Sequence, residues 1–239
     1  MILIAIVFLV IITIQSILGC IYGNVILKRR GKIYWLSMSC LLLNNLKTLF
    51  ISLAVPFNVI PAALCGELAN LTLYLLFAKR IESLGPPVAY ESLVWYIPYF
   101  MILILMIPTS TYIMTVFDQC YLLGHRWAFV GASIVTLLVE IYLLIILIKK
   151  VLFMLEYRPK IQHILITQSV VAFVTVALTE IVNMVLIILK YPNYIVYNLD
   201  SIATSTRVLF IIDFYRYLVV DMTRVGDSGI HYEERRISI

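Results

Sequence analysis

Long apolar runs separated by short polar segments alternate along the whole chain. Seven runs reach or approach the length of a bilayer crossing: residues 2–27, 33–55, 59–78, 92–108, 127–148, 161–189 and 196–220. A bilayer core about 30 Å thick needs roughly 20 apolar residues of α-helix. The pattern therefore predicts an all-α membrane protein, a seven-transmembrane-helix bundle over residues 1–221. The longest connection is expected at 109–126, and a short polar tail at 222–239.

The composition agrees with a lipid environment. Hydrophobic residues make up 63% of the 239 and charged residues 13%, and the mean hydropathy is +1.02. Soluble domains are about half apolar and about a quarter charged. A water-soluble fold of this size could not bury so much apolar surface, so we expect an integral, multi-pass protein of the plasma membrane.

The net charge of +5 comes from basic residues that cluster in alternate connections. One set of connections and the tail hold Lys28, Arg29, Arg30, Lys32, Lys79, Arg80, Lys149, Lys150, Arg158, Lys160, Arg224, Arg235 and Arg236. The other set holds only Arg126 and Lys190. The positive-inside rule then predicts an N-terminus outside and a C-terminus in the cytoplasm. Short basic clusters between apolar runs also argue against a nucleic-acid partner.

Several ionisable side chains fall inside the apolar runs, where each is costly in hydrocarbon. Spacings of three, four and seven place them with polar neighbours on shared helix faces. The faces are Asn44, Lys47 and Thr48; Glu67, Asn70 and Tyr74; Ser133, Thr136 and Glu140; Glu180 and Asn183; and Asp200, Thr204 and Arg207. At about 1.5 Å per residue, two cations and two acids reach similar depths, Lys47 and Arg207 with Glu67 and, somewhat higher, Glu180. Glu140 and Asp213 lie lower and fit a structural or switching role.

These residues predict a polar cavity in the outer half of the bundle. Its candidate ligand-binding residues are Lys47, Glu67, Asn70, Glu180, Asn183, Asp200 and Arg207. The balance of two cations against two acids favours a zwitterionic or hydrogen-bonding small molecule. Alternatively, the same side chains only join helices through hydrogen bonds.

Residues 78–90 read AKRIESLGPPVAY, in the predicted cytoplasmic connection after the third run. Arg80, followed seven residues later by Pro87 and then by Tyr90, resembles the end of the third helix and the second inner loop of rhodopsin-like G-protein-coupled receptors, including nematode chemosensory receptors. The resemblance implies that Arg80 contacts a heterotrimeric G protein and that Pro87 and Tyr90 shape the docking loop. Lys79 replaces the family's acid, which in that family pairs with the arginine and stabilises the resting state. High basal activity, a different contact that stabilises the resting state, and no coupling all remain open. The alternative is a basic pair at the membrane edge before a Pro-Pro turn.

Two further patches resemble the same family, and their stretches CYLLGHRW, with Cys120 and Trp127, and IIDFYRYLV are similar to nematode chemosensory receptors. In the IIDFYRYL stretch, Asp213 and Tyr217 have the spacing of the family's Asn/Asp-Pro-x-x-Tyr element, which implies a switch, although Phe214 replaces the proline. Cys120 lies in the outer connection where the family places one end of a disulfide. Cys65 would be its partner.

Other functions remain open beside a receptor. A transporter would use the same charges for substrate or protons, although the chain contains no internal repeat of the kind many transporters have. A retinal protein is excluded because Thr204 stands where the LDSIAT stretch would need the retinal lysine. A membrane scaffold without signalling is the remaining alternative. The sequence contains no nucleophile-base pair, metal-ligand cluster or phosphate-binding glycine loop, so we expect neither an enzyme nor a cofactor.

Overall fold

The computed structural model describes residues 2–27, 31–52, 59–84, 91–117, 122–154, 159–190 and 193–226. Within these ranges the chain forms seven long α-helices and a short 3-10 helix, Glu91–Trp95, and contains no strand. The α-helices are α1 (Ile2–Leu27), α2 (Gly31–Ser52), α3 (Val59–Glu82), α4 (Ile97–Phe117), α5 (Leu122–Met154), α6 (Pro159–Ile188) and α7 (Asn193–Gly226). The prediction of an all-α fold is confirmed for the described part of the chain.

The bounds of α4 differ most from the predicted run 92–108. The helix begins at Ile97 and continues through Pro108 to Phe117. The polar residues that suggested a connection are satisfied within the helix, because the hydroxyls of Ser110 and Thr111 donate to carbonyl oxygens one turn earlier. A serine or threonine bonded in this way does not end a helix.

Six of the helices are long and apolar enough to cross a membrane: Ile6–Leu27, Val59–Glu82, Ile97–Met114, Gly124–Phe153, Gln162–Ile188 and Ile195–Tyr217. The helix α2 is not among these six described segments, since Asn44, Asn45 and Lys47 make its second half polar. It nevertheless packs against α1, α3 and α7.

The helices α2 to α7 form a closed ring in chain order, with α7 packed against α2. The helix α1 lies outside this ring against α2 and α7, and α3 also touches α5 and α7. Lys150 of α5 lies beside Ile81 of α3 at one end, called here the basic end. Lys47 of α2 meets Asp200 of α7 towards the opposite end, called here the far end.

The distribution of polarity is the reverse of that in a soluble protein. Large apolar side chains cover the outside, with Val25 80% exposed and Trp35 68% exposed. Charged side chains are buried inside, among them Lys47, Glu140 and Arg207. A lipid solvent favours this arrangement, because acyl chains solvate apolar groups and offer no hydrogen bonds to polar ones. The described helices therefore have the architecture of an integral, multi-pass membrane protein.

Two glycines one turn apart let α1 approach its neighbours closely. A Cβ atom at Gly19 would lie 2.3 Å from Cδ1 of Leu41, and one at Gly23 would lie 2.7 Å from Cε of Met38. Both contacts are with α2 side chains. Small residues at such a spacing are a common way for membrane helices to pack, because apolar side chains gain little by leaving lipid for protein.

We expect Gly19→Leu to destabilise the bundle by about 1–3 kcal/mol, the usual cost of overpacking. The measurement is thermal unfolding of the purified protein in detergent micelles. Gly131→Leu is the matched control, because Gly131 is exposed on α5 and a Cβ there would meet nothing within 4 Å. Equal unfolding temperatures for the two variants would contradict close packing at Gly19.

Candidate functional site

A cavity of about 90 Å³ is lined by all six helices of the ring, α2 to α7, in the half of the bundle towards the far end. Six of the seven predicted ligand-binding residues line it: Lys47, Glu67, Asn70, Glu180, Asp200 and Arg207. The seventh, Asn183, is buried elsewhere, and its amide atoms have no hydrogen-bond partner among the described residues. The volume is enough for several water molecules and therefore for a small organic ligand.

Lys47 and Asp200 join α2 to α7 at the wall of the cavity. The Nζ atom of Lys47 lies 2.6 Å from Oδ2 of Asp200 and 5.7 Å from the ring centre of Tyr197. The lysine stem runs past Gly66 of α3, where a Cβ atom would lie 3.2 Å from Cδ of Lys47. The absence of a side chain at this position therefore gives the lysine its path towards α7.

Asn44, one turn before Lys47, fixes α2 against α7. Its Nδ2 donates to the carbonyl oxygen of Ser201 at 2.5 Å and to Oγ of Ser205 at 2.8 Å. Gln15 of α1 adds a bond to Thr206 on the same helix at 3.1 Å. These bonds set the register of α7 and hence the height of Asp200.

Glu67 faces the cavity from α3 without a cationic partner among the described ion pairs. Its Oε1 accepts a hydrogen bond of 2.6 Å from Thr109 of α4. Its Oε2 is buried and has no hydrogen-bond partner in the described part of the chain. The lysine that the sequence placed at a similar depth is bound to Asp200 instead.

Arg207 joins three helices at the bottom of the cavity. Its Nη1 lies 3.5 Å from Oε1 of Glu140 on α5, and its Nη2 lies 3.7 Å from Oε1 of Glu180 on α6. At these distances the groups form ion pairs, but they are too far apart for good hydrogen bonds. Glu140, which the sequence placed below the polar belt, therefore belongs to the same charge cluster. The length of the arginine side chain covers the difference in depth.

An aromatic wall, which the sequence did not predict, borders this cavity. Tyr112, Phe129 and Tyr197 line it, with ring centres 4.9 Å apart for Tyr112 and Tyr197 and 6.2 Å apart for Phe129 and Tyr197. His125 packs behind them, with Nδ1 3.1 Å from the carbonyl oxygen of Pro108. One signal was present in the sequence, because Tyr197 precedes Asp200 by three residues on one helix face.

A second cavity, of about 30 Å³, lies nearer the basic end and is lined by Arg80, Glu140, Ser169 and Arg207. Arg80 is only 3% exposed. Its Nη2 donates to Oγ of Ser169 at 2.9 Å, and its guanidinium lies 3.9 Å from the ring centre of Phe214. The arginine of the receptor-like motif is thus held inside the bundle, while Pro87 and Tyr90 lie outside the described residues.

The two predicted switch residues follow on α7. Asp213 accepts a hydrogen bond from Gln168 of α6 and forms an ion pair of 3.8 Å with Arg216. Tyr217 packs, partly buried, against the hydrophobic core. The chain remains helical through Phe214, which replaces the proline of the motif and stacks on Arg80.

The basic end contains a buried ion pair that the sequence did not predict. Nζ of Lys150 lies 2.5 Å from Oε1 of Glu91 and donates to the carbonyl oxygen of Ile81 at 2.8 Å. Lys150 counts among the topology-determining basic residues of the sequence, but its side chain is buried. These two contacts of Lys150 hold the 3-10 helix against the end of α3.

The predicted disulfide falls partly outside the described residues. Cys65 has intermediate exposure on α3 and forms no disulfide with another cysteine of the described ranges. Cys120 lies outside the described ranges. The pairing therefore stays a prediction.

The chain matches no family model, no curated protein and no solved structure. Within the described residues, no group of three or more His, Cys, Asp or Glu side chains could hold a metal ion. The function must therefore be inferred from the two cavities and the charges between them.

A double-mutant cycle on Lys47 and Asp200 tests the pairing at the cavity wall. We expect Asp200→Asn to destabilise the protein by about 3 kcal/mol, because it leaves the ammonium of Lys47 buried without its counter-charge. Lys47→Met combined with Asp200→Asn should recover most of this loss. Thermal unfolding in lipid nanodiscs provides the measurement, and simple additivity of the two single effects would show that the residues do not interact.

Proposed function

We propose that the chain is a plasma-membrane receptor that binds a small molecule in the larger cavity and transmits binding to the basic end. One observation supports this most strongly. Arg207 lines both cavities and pairs with Glu140, and Glu140 lines the smaller cavity together with Arg80. Buried charged residues thus extend from the ligand-sized cavity to the smaller cavity that the motif arginine lines.

In this proposal all seven helices cross the bilayer, with the N-terminus outside and the basic end in the cytoplasm. The excess of lysine and arginine in alternate connections supports this orientation. The packing of α2 against three neighbours supports its inclusion, because its polar face meets protein rather than lipid. A heterotrimeric G protein is the proposed partner at the cytoplasmic face.

Glu140 takes the place of the acid that the receptor motif lacks. Glu140 and Arg80 line the same small cavity, and attraction between buried opposite charges is strong in a low-dielectric interior. This attraction keeps Arg80 buried against Phe214. A ligand that changes the contacts of Arg207 alters how Glu140 is shared between the two arginines, and so shifts the population towards an exposed Arg80.

A transporter is the second candidate, and the two cavities favour it. They lie on opposite sides of the cluster formed by Arg207, Glu140 and Glu180. Ionisable groups between two cavities are also found in substrate and proton pathways. Uptake of solute or protons into proteoliposomes that disappears with Glu180→Gln would favour transport over signalling.

We expect Glu140→Gln to raise ligand-independent signalling several-fold, because it removes the charge that holds Arg80 inside. Arg80→Ala should abolish this increase when the two changes are combined. Second-messenger output in transfected cells, normalised to surface expression, is the measurement. Glu82→Gln is the control, since Glu82 is an exposed glutamate of the same bundle paired only with Lys79 in the described structure. Unchanged output from both Glu140→Gln and Arg80→Ala would contradict the coupling mechanism.

The proposed orientation has a separate test. Epitope tags at both termini of the full chain should be stained differently in intact cells, the N-terminal tag without permeabilisation and the C-terminal tag only after it. Seven crossings place the termini on opposite sides of the membrane. Staining of both tags under the same condition would require an even number of crossings.

A further inference from the structure

The larger cavity contains more negative than positive side chains once its ion pairs are assigned. Lys47 is paired with Asp200 at 2.6 Å, and Arg207 lies between Glu140 and Glu180. Three carboxyl groups, those of Glu67, Glu180 and Asp200, line this cavity together with two cations, whereas Glu140 lines the smaller cavity. The predicted balance of two cations against two acids is therefore not kept, because Asp200 also lines the cavity.

Glu67 is the carboxyl group of this cavity that has no cationic partner among the described ion pairs. Thr109 occupies its Oε1, and the buried Oε2 has no hydrogen-bond partner among the described residues. A buried carboxylate oxygen without a donor is unfavourable. Glu67 lines the larger cavity, so a rotation of its carboxyl group would bring this buried oxygen within reach of a donor bound there.

The aromatic wall of the same cavity suits a positive charge. Tyr112, Phe129 and Tyr197 line the cavity, and cations bind to the faces of such rings. The ammonium of Lys47 already lies 5.7 Å from the ring centre of Tyr197. The aromatic wall therefore accepts one cation from the protein itself.

We propose that the larger cavity binds a small organic ammonium ion, with Glu67 as its counter-charge and the aromatic wall around its apolar part. This inference deepens the proposed function and rests on it for the biological role of the ligand. An ammonium group would donate to Oε2 of Glu67 and bring the excess negative charge closer to balance. A neutral ligand could donate to Oε2 but would leave the excess negative charge uncompensated, and an anionic ligand would increase that excess.

The test compares pairs of ligands that differ by one charge. Purified protein in lipid nanodiscs is heated with millimolar ethylamine, isobutylamine or 2-phenylethylamine, and with the alcohol of the same carbon skeleton. A ligand that binds the folded state raises the unfolding temperature. At least one amine should do so while its alcohol does not, and no rise with any amine, or equal rises within every pair, would overturn the proposal.

Glu67→Gln identifies the counter-charge. We expect amine binding to weaken by about thirtyfold or more, as when one partner of a buried charge pair is removed. Glu82→Gln, an exposed change on the same helix, should leave binding intact. Undiminished amine binding by Glu67→Gln would show that Glu67 is not the counter-charge.

Phe129→Leu provides a second variant should Glu67→Gln fail to fold. Loss of one aromatic face should weaken amine binding by about fivefold, and unchanged binding would contradict the role of the wall. Neither readout uses signalling. Amine binding together with signalling output that Arg80→Ala leaves unaltered would support the cation site and reject the receptor. Signalling that depends on Arg80 without any amine binding would support the receptor and reject the cation site.

Discussion

An ion within the hydrocarbon core is strongly stabilised by a counter-charge inside the protein, and this constraint governs the arrangement of the bundle. Lys47 can meet Asp200 only if α2 and α7 are adjacent at the right height. Arg207 can meet Glu140 and Glu180 only if α5 and α6 face α7 from the other side. Removing one partner of such a pair is costly, so the charges specify which helices are neighbours more strictly than apolar contacts in lipid can.

The charged side chains also line the two cavities of the interior. Arg207 therefore lies between two openings, one reaching Glu67 and the aromatic wall and the other reaching Arg80. A polar connection between the two halves of the bundle follows from charge pairing alone, and both receptors and transporters require such a connection.

The sequence predicted the features that depend on local pattern. Apolar run lengths gave the helices, and the spacing of Lys47, Glu67, Asp200 and Arg207 gave the faces that line the cavity. It could not give the partner of each charge, because pairing depends on helix neighbours and on the reach of long side chains. Glu140 joined the cluster for that reason, and Lys150 was buried because Glu91 follows the end of α3 closely enough to receive it.

Two other differences have similar origins. The sequence did not predict the extension of α4 past Pro108, because serine and threonine residues are common in loops. Here the hydroxyl of Thr111 donates to carbonyl oxygens within the helix. The aromatic wall combines residues of α4, α5 and α7, and no periodicity along one helix reports a surface shared by three. Arg80 was predicted in the connection after the third run, whereas it lies on α3, and its burial depends on Phe214 and Ser169 of other helices.

The orientation of α2 in a bilayer tests most directly whether charges face protein and apolar residues face lipid. Trp35, Leu42 and Leu49 are exposed at intervals of seven, whereas Ser37 and Asn44 are buried. Spin labels placed singly at these five positions of a cysteine-free protein in liposomes would report their accessibility to oxygen, which concentrates in lipid, and to a water-soluble nickel complex. High oxygen accessibility at 35, 42 and 49 and low accessibility at 37 and 44 is the expected result. Highest oxygen accessibility at 37 and 44, or access of the nickel complex along the whole helix, would contradict the inward orientation of the charges.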